Sequence, residues 1–355
     1  MRFILSSLLY YSGLFYLCRK FILKGNPIIL TYHRVIDPQH EKIPLLDGIY
    51  VTKSTFQKHM DYLSKNCTVV PLHKIVNDIK NGRKFKDFTC SITFDDGWRD
   101  NYKHAFPVLK KYDLPATIFL ATSFIGTNEW FWHDKVIYLI YRFMKTRNNL
   151  RREIEQLTRK WPYFLPLLNR PTLSENQLNE VISNLKKLSM DEINEIVNEM
   201  KTTLKLKDFP SNRLVLNWGE IHEMAMQNIT FGSHTANHLI LTNLLPHEIA
   251  SQLSRPKKTL EQHLNSEVTG FCYPNGDFNS QLKQMVKDNG YEYAVTSQKR
   301  PLTNVNDLYE IGRIHVHNDI AFSKAMFACL ISRVYDIFQS HKIRLTQFEA
   351  TSTHV

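Results

Sequence analysis

No CxxC pair and no regular cysteine spacing occurs in the 355 residues. The five cysteines, Cys18, Cys67, Cys90, Cys272 and Cys329, are odd in number and scattered. That pattern excludes a disulfide framework and a cysteine-based zinc site. Zinc-finger spacing, RNP-like aromatic motifs and dense Lys/Arg tracts are also missing. The formal net charge of +11 is therefore not read as a nucleic-acid signal. It leaves anionic membrane surfaces and phosphorylated or acidic ligands as partners. Internal repeats and low-complexity segments are absent. With 43% hydrophobic and 22% charged residues, the chain is a globular protein rather than a disordered one. A long hydrophobic run is lacking too. The uncharged, mostly apolar stretch FILSSLLYYSGLFYLC (3–18) is short for crossing a hydrocarbon core of about 30 Å. No small-residue cleavage pattern follows it, which argues against a cleaved signal peptide. Arg19, Lys20 and Lys24 come next. Residues 1–25 read as a membrane-associating apolar helix. Positive charge following the run leans the rest of the chain toward the cytoplasmic side of an inner membrane.

What is present is an α/β rhythm. PIILTY (27–32), CTVVPL (67–72), FTCSITF (88–94) and PATIFLAT (115–122) read as strands, rich in β-branched and aromatic residues. Ser54 and Gln57 have capping-box spacing and predict a helix to about Leu63, and a second helix is expected over 101–112. Alternating strand and helix predict a parallel sheet or barrel. From 127 to 212 the rhythm breaks into a basic, helix-rich stretch. It resumes with the capping pair Asn217 and Glu220, ITFGSH (229–234), a helix over 246–264, VTGFCYP (268–274), a helix over 279–289 and YEYAVT (291–296). The organisation read from this is an N-terminal segment 1–25, a barrel in two parts (26–126 and 213–320), a helical insertion 127–212, and a C-terminal helix and tail 321–355.

Two stretches carry chemistry. In SITFDDGWRDNY (91–102) an apolar strand ends in adjacent carboxylates, Asp95 and Asp96, followed by Gly97. Withdrawn from water, such a pair raises each other's pKa, and a cation relieves the repulsion. In GSHTANH (232–238), His234 and His238 stand four apart, so one helical turn would aim both imidazoles at one point. Both stretches follow strands, where α/β proteins place their sites.

TFDDG followed by SHTANH resembles the polysaccharide deacetylase family, also called the NodB homology domain or carbohydrate esterase family 4. SITFDDGWRDNYKHAFPVLKKYDLPATIFLAT, NWGEIHEMAMQNITFGSHTANH and GFCYPNGDFNSQLKQMVKDNGYEYAVT are similar to its first three motif regions, and the likeness covers most of 27–126 and 213–316. TYHRV (31–35) and EIGRIHV (310–316) resemble the subgroup of exopolysaccharide deacetylases with circularly permuted motifs. The resemblance implies a deformed (β/α) barrel. It also implies metal-dependent removal of an N-acetyl or other N-acyl group from an amino sugar in a polysaccharide or lipid-linked glycan.

On that resemblance Asp96, His234 and His238 hold one divalent ion, expected to be Zn2+. Asp95 is the base, His33 the acid on the side opposite the base, and Arg313 the group that orients Asp95. Tyr273 and Asn275 are the substrate-contacting candidates. The third motif departs from the usual pattern: Cys272 replaces an arginine and Asn275 a tyrosine. His315 and His317 are alternatives for the acid. Two other functions fit parts of this set: a non-catalytic, membrane-associated glycan-binding relative, and a non-haem iron oxygenase, which also uses two histidines and a carboxylate.

Overall fold

The computed structural model describes residues 2–23, 25–39, 45–46, 48–86, 88–146, 150–169, 174–298, 300, 302 and 308–335. Its strands are β1 (Ile28–Tyr32), β2 (Arg34–Ile36), β3 (Tyr50–Thr52), β4 (Thr68–Val69), β5 (Thr89–Phe94), β6 (Ala116–Leu120), β7 (Ile229–Ser233), β8 (Gly270–Cys272), β9 (Tyr293–Val295) and β10 (Ile314–His315). The main sheet runs β10-β1-β5-β6-β7-β8-β9, with every pair parallel. One edge of β5 is divided between two neighbours. β4 pairs at Thr89, and β6 pairs further along at Thr93. The Ile311 N–H donates to the Ala294 carbonyl, and the Ile311 carbonyl accepts from Thr296. The chain then enters β10, which pairs with β1. The result is a deformed (β/α) barrel. Strands β1 and β5 are buried at every position, as expected for parallel strands covered on both faces.

Most helix starts follow local chemistry. The Asn217–Glu220 capping box opens the Trp218–Ala225 helix, and helices occupy Pro246–Leu264 and Ser280–Asp288. Two expectations fail locally. The Lys53–Asn66 helix is capped by Thr52, whose hydroxyl accepts from the Thr55 N–H, so Ser54 lies inside the helix. CTVVPL is strand only at Thr68–Val69. A Leu72–Lys80 helix starts after Pro71 and buries Leu72, Ile75, Val76 and Ile79. That helical spacing of apolar residues outweighs the β-propensity of the run.

Between 127 and 212 most of the described residues are helical. The Trp132–Thr146, Arg151–Lys160, Glu175–Leu185 and Met190–Thr203 helices share a core of their own. It includes Val136, Ile140, Phe143, Leu157, Ile196 and Met200.

The N-terminus differs from the single apolar helix expected. Two helices, Arg2–Tyr11 and Leu14–Leu23, are broken at Gly13, where φ is +74°. No helix among the described residues is long and apolar enough to cross a membrane. Arg19 is fully buried rather than placed at a lipid headgroup. Its guanidinium lies on the Phe88 ring and donates to the Tyr62 hydroxyl (3.2 Å) and the Asn66 carbonyl (2.9 Å). This removes Arg19 from the positive cluster read from the sequence, and Lys24 lies outside the described residues. The first helix is tied to the C-terminal Lys324–Ile331 helix region through Ser6, which bonds the Tyr335 hydroxyl and accepts from Cys329 Sγ. The expected tail beyond 335 lies outside the described residues.

Candidate active site

The β5 ladder runs one residue past the strand, because the Asp95 N–H donates to the Tyr32 carbonyl (3.1 Å). The chain then turns through two left-handed residues, Asp96 (φ +70°) and Gly97 (φ +74°). Aspartate tolerates that region better than most residues, and glycine enters it without strain. A Cβ at position 97 would stand 2.6 Å from Leu120 Cδ2. The turn sends the two adjacent carboxylates, each only 4% exposed, to different partners.

Asp96 faces the histidines. Its Oδ1 lies 3.3 Å from His234 Nε2 and 3.0 Å from His238 Nε2, while its Oδ2 accepts from Trp98 Nε1 (2.8 Å). Oδ1 is buried without a hydrogen-bond partner. Two imidazole nitrogens and an unpartnered carboxylate oxygen on one point fit a divalent cation, whose N and O ligands these are. His234 Nδ1 is held by the Cys272 carbonyl at 2.8 Å, which fixes the tautomer that turns the Nε2 lone pair toward Asp96. The two histidines do not share a helical turn. They sit on the loop after β7, and left-handed Thr235 (φ +68°) and His238 (φ +54°) bring the rings together. Asp95, His234 and Cys272 form a second convergent group. It suits a metal less well: burial pushes the Cys272 thiol up, toward its protonated form, and Arg313 engages both Asp95 and Cys272.

Asp95 is gripped by Arg313, with Nη1 to Oδ1 and Nη2 to Oδ2 both 2.7 Å. Burial alone would raise the Asp95 carboxyl. The Arg313 charge and hydrogen bonds outweigh it and hold the group well below the usual carboxylate range. The guanidinium also donates to the Thr296 carbonyl, Thr93 Oγ1 and Cys272 Sγ. It thus reaches Asp95 from the segment before β10, past a small side chain at position 272.

His33, in the β1–β2 turn, has Nε2 at 3.9 Å from Asp95 Oδ2. It lies beside Asp95 rather than across the site from it. Its Nδ1 lies 3.1 Å from His315 Nε2. Burial, then the charge of His33, lowers His315 well below its ordinary value, so His315 is neutral. His317 is bonded to Asp319 (2.8 Å) and is not among the residues lining the site cavity. The residues after DDG hold the His33 turn. Asp100 accepts from Arg34 Nε (2.7 Å) and the Val35 N–H (2.9 Å), and Asn101 Nδ2 donates to the His33 carbonyl (2.8 Å). Asn101 opens a π-helical turn, a distortion frequent at functional sites.

A cavity of about 390 Å3 is lined by Asp95, Asp96, His33, His234, His238, His315 and Arg313. Tyr273 and Asn275 line it too, yet both are engaged. The Tyr273 hydroxyl donates to the Tyr309 carbonyl (3.0 Å), so only its ring is offered. Asn275 Oδ1 accepts from Lys186 Nζ (2.7 Å), and its Nδ2 donates to Asp277. Trp132, His133, Ile182 and Lys186 also line it. They come from the helical segment, and sequence reading missed them because no motif spacing links them to the barrel. Burial lowers His133 to about 3, so it is neutral.

The polysaccharide deacetylase family model matches residues 82–294. A poly-beta-1,6-N-acetyl-D-glucosamine N-deacetylase of Staphylococcus epidermidis is 26% identical over 308 residues, 83% of this chain and 81% of that protein. Among solved structures, the Streptococcus pyogenes deacetylase PplD in complex with acetate aligns with a TM-score of 0.54 at 18% identity, over 84% of this chain and 95% of that one. IcaB from Ammonifex degensii aligns with a TM-score of 0.53 at 18% identity, over 86% and 97%. These likenesses of structure establish the fold.

Proposed function

Because the chain belongs to the polysaccharide deacetylase family, a family of hydrolases, we propose that it removes N-acetyl groups from a polymer of N-acetylglucosamine. The relative in Staphylococcus epidermidis supports that substrate class. The carrying observation is the paired arrangement of the DD doublet: Asp96 with two histidines on an unpartnered oxygen, and Asp95 in the Arg313 fork. The oxygenase reading does not survive the family and the barrel.

Asp96, His234 and His238 would hold the ion, and their N2O donor set suits Zn2+. When bound, a divalent cation there lowers the pKa of a water and polarises the amide carbonyl. Asp95 takes a proton from the attacking water; Arg313 fixes the plane of the carboxylate while each oxygen keeps a lone pair. His33 then gives a proton to the departing amine as the C–N bond breaks, leaving acetate and a free amino sugar. Neutral His315 accepts from His33 Nδ1–H, which turns the Nε2 proton toward the cavity.

The test is amine release from N-acetylglucosamine oligomers by the purified chain, with bound metal measured in parallel. Asp95→Asn should keep the ion and lose at least about 10²-fold in rate. Asp96→Ala should lose both. Metal and oligomer binding without any amine release would instead identify a glycan-binding relative.

We further propose that the N-terminal pair of helices docks on a membrane surface. Phe3, Ile4, Leu8, Tyr11, Leu14, Tyr16, Leu17 and Phe21 are exposed along it, beside exposed Lys20, and buried Arg19 fastens the pair to the barrel. This apolar strip favours a second substrate reading, a lipid-linked glycan. Leu8→Ser/Leu17→Ser should lower co-sedimentation with anionic vesicles; equal sedimentation of the two proteins refutes the docking.

A further inference from the structure

A second cavity, about 830 Å3, opens where the Trp132–Thr146 helix faces the barrel. Six cationic side chains line it: Arg34, Arg99, Lys103, Arg142, Lys145 and Arg213. Asp100 is the one carboxylate among the lining residues, and it is held by Arg34. Glu220 lies behind the wall, bonded by Arg99 and by both Nη atoms of Arg213. Among the described residues the lining thus carries more cations than carboxylates.

Arg142 and Lys145 sit against neutral groups. Arg142 Nη1 donates to the Tyr138 hydroxyl (2.9 Å), and the Lys145 ammonium lies 4.4 Å from the centre of the Tyr141 ring. These contacts position the charges without cancelling them. On a convex, solvated face such charges are screened and common. In a concave cleft with half-buried guanidinium groups the field is focused. Guanidinium forks match the oxygens of a phosphate, and this excess of cations suits a multiply charged anion better than a single carboxylate.

We propose that this cleft binds a phosphate or diphosphate group. The assignment does not depend on the deacetylase reading. It does bear on it: Arg34 and Arg99 directly follow His33 and Trp98, which line the metal-site cavity. The Arg34 guanidinium stands 4.6 Å from the centre of the Trp98 ring, and Trp98 Nε1 donates to Asp96. A phosphate in the cleft sits one side-chain layer from the candidate metal site.

Isothermal titration of the full chain with pyrophosphate and with inorganic phosphate tests this. Arg142→Gln/Lys145→Gln keeps the side-chain stems on their tyrosines and removes two charges. It should weaken binding about 10²-fold, near tenfold per charge-assisted contact. Lys110→Ala/Lys111→Ala removes the same charge from lysines that also lie over aromatic rings, outside the cleft, and should change nothing. Phosphatidylglycerol vesicles, compared with phosphatidylcholine, distinguish the source. If the cleft pair weakens vesicle binding as well, the phosphate is a lipid headgroup's. If only pyrophosphate binding weakens, it belongs to a soluble or glycan phosphate. Pyrophosphate binding that the cleft pair leaves unchanged, as binding at the metal site would be, overturns the proposal. So does the lack of saturable binding.

Discussion

Arg313→Ala is the most informative perturbation of the site. Arg313 is 2% exposed and makes five hydrogen bonds, two of them the 2.7 Å fork on Asp95. Without it, Asp95 remains buried with the Thr31 hydroxyl at 3.4 Å and His33 at 3.9 Å. Removing one partner of a buried pair costs about 3–5 kcal/mol, because the other charge is left uncompensated. Asp95 escapes part of that cost by taking up a proton. In the parent its depressed pKa contributes stability that is present above the unfolded value of about 3.9 and lost as pH falls below it. In the variant the folded pKa lies above the unfolded one, so the penalty grows as pH rises from about 4 toward neutrality. Urea denaturation at pH 4.5 and pH 7.5 should therefore show the larger deficit at pH 7.5. The acid limb of the rate profile for amine release should move to higher pH. Arg313→Lys restores a charge but not the fork, and should recover part of both. An Arg313→Ala protein within about 1 kcal/mol of the parent at both pH values, with an unmoved acid limb, would refute the reasoning.

Three more outcomes are expected. His33→Ala should retain the metal and lose about 10²–10⁴-fold in rate, the usual worth of a positioned acid; a near-normal rate would pass the acid role to His315. His315→Ala should retain the metal and lower the rate, since it removes the group that holds His33 Nδ1, and an unchanged rate would make His315 a packing residue. His59 is fully buried and stacked on Phe327, and burial lowers its pKa to about 3. The unfolded chain then binds the extra proton below about 6.5, so stability falls with pH, by about 2 kcal/mol between pH 6.5 and 5 from this group. A His59→Gln protein should show a flatter decline over that range, and an equal slope in the two proteins would refute it.

The sequence by itself determined the barrel's rhythm and the doublet of carboxylates. Apolar β-branched runs such as TCSITF read as strands covered on both faces, and their alternation with helices makes the sheet parallel; the Asn217–Glu220 box is local chemistry. The helix of Leu72–Lys80 was not legible from β-propensity, because packing of Ile75, Val76 and Ile79 decided it. Tertiary structure alone decided which group meets which carboxylate. Arg313 and Asp95 are separated by 218 positions, and only the pairing of β1 with both β5 and β10 brings them to the same end of the barrel. His234 and His238 converge through left-handed backbone rather than through a helical turn, which their spacing cannot reveal. Arg19 shows the same limit in reverse. In the sequence it is one of a charged cluster after an apolar run. In the fold it is enclosed by Phe88, Tyr62 and Asn66, because a guanidinium can be buried wherever distant segments supply a ring face and hydrogen-bond acceptors.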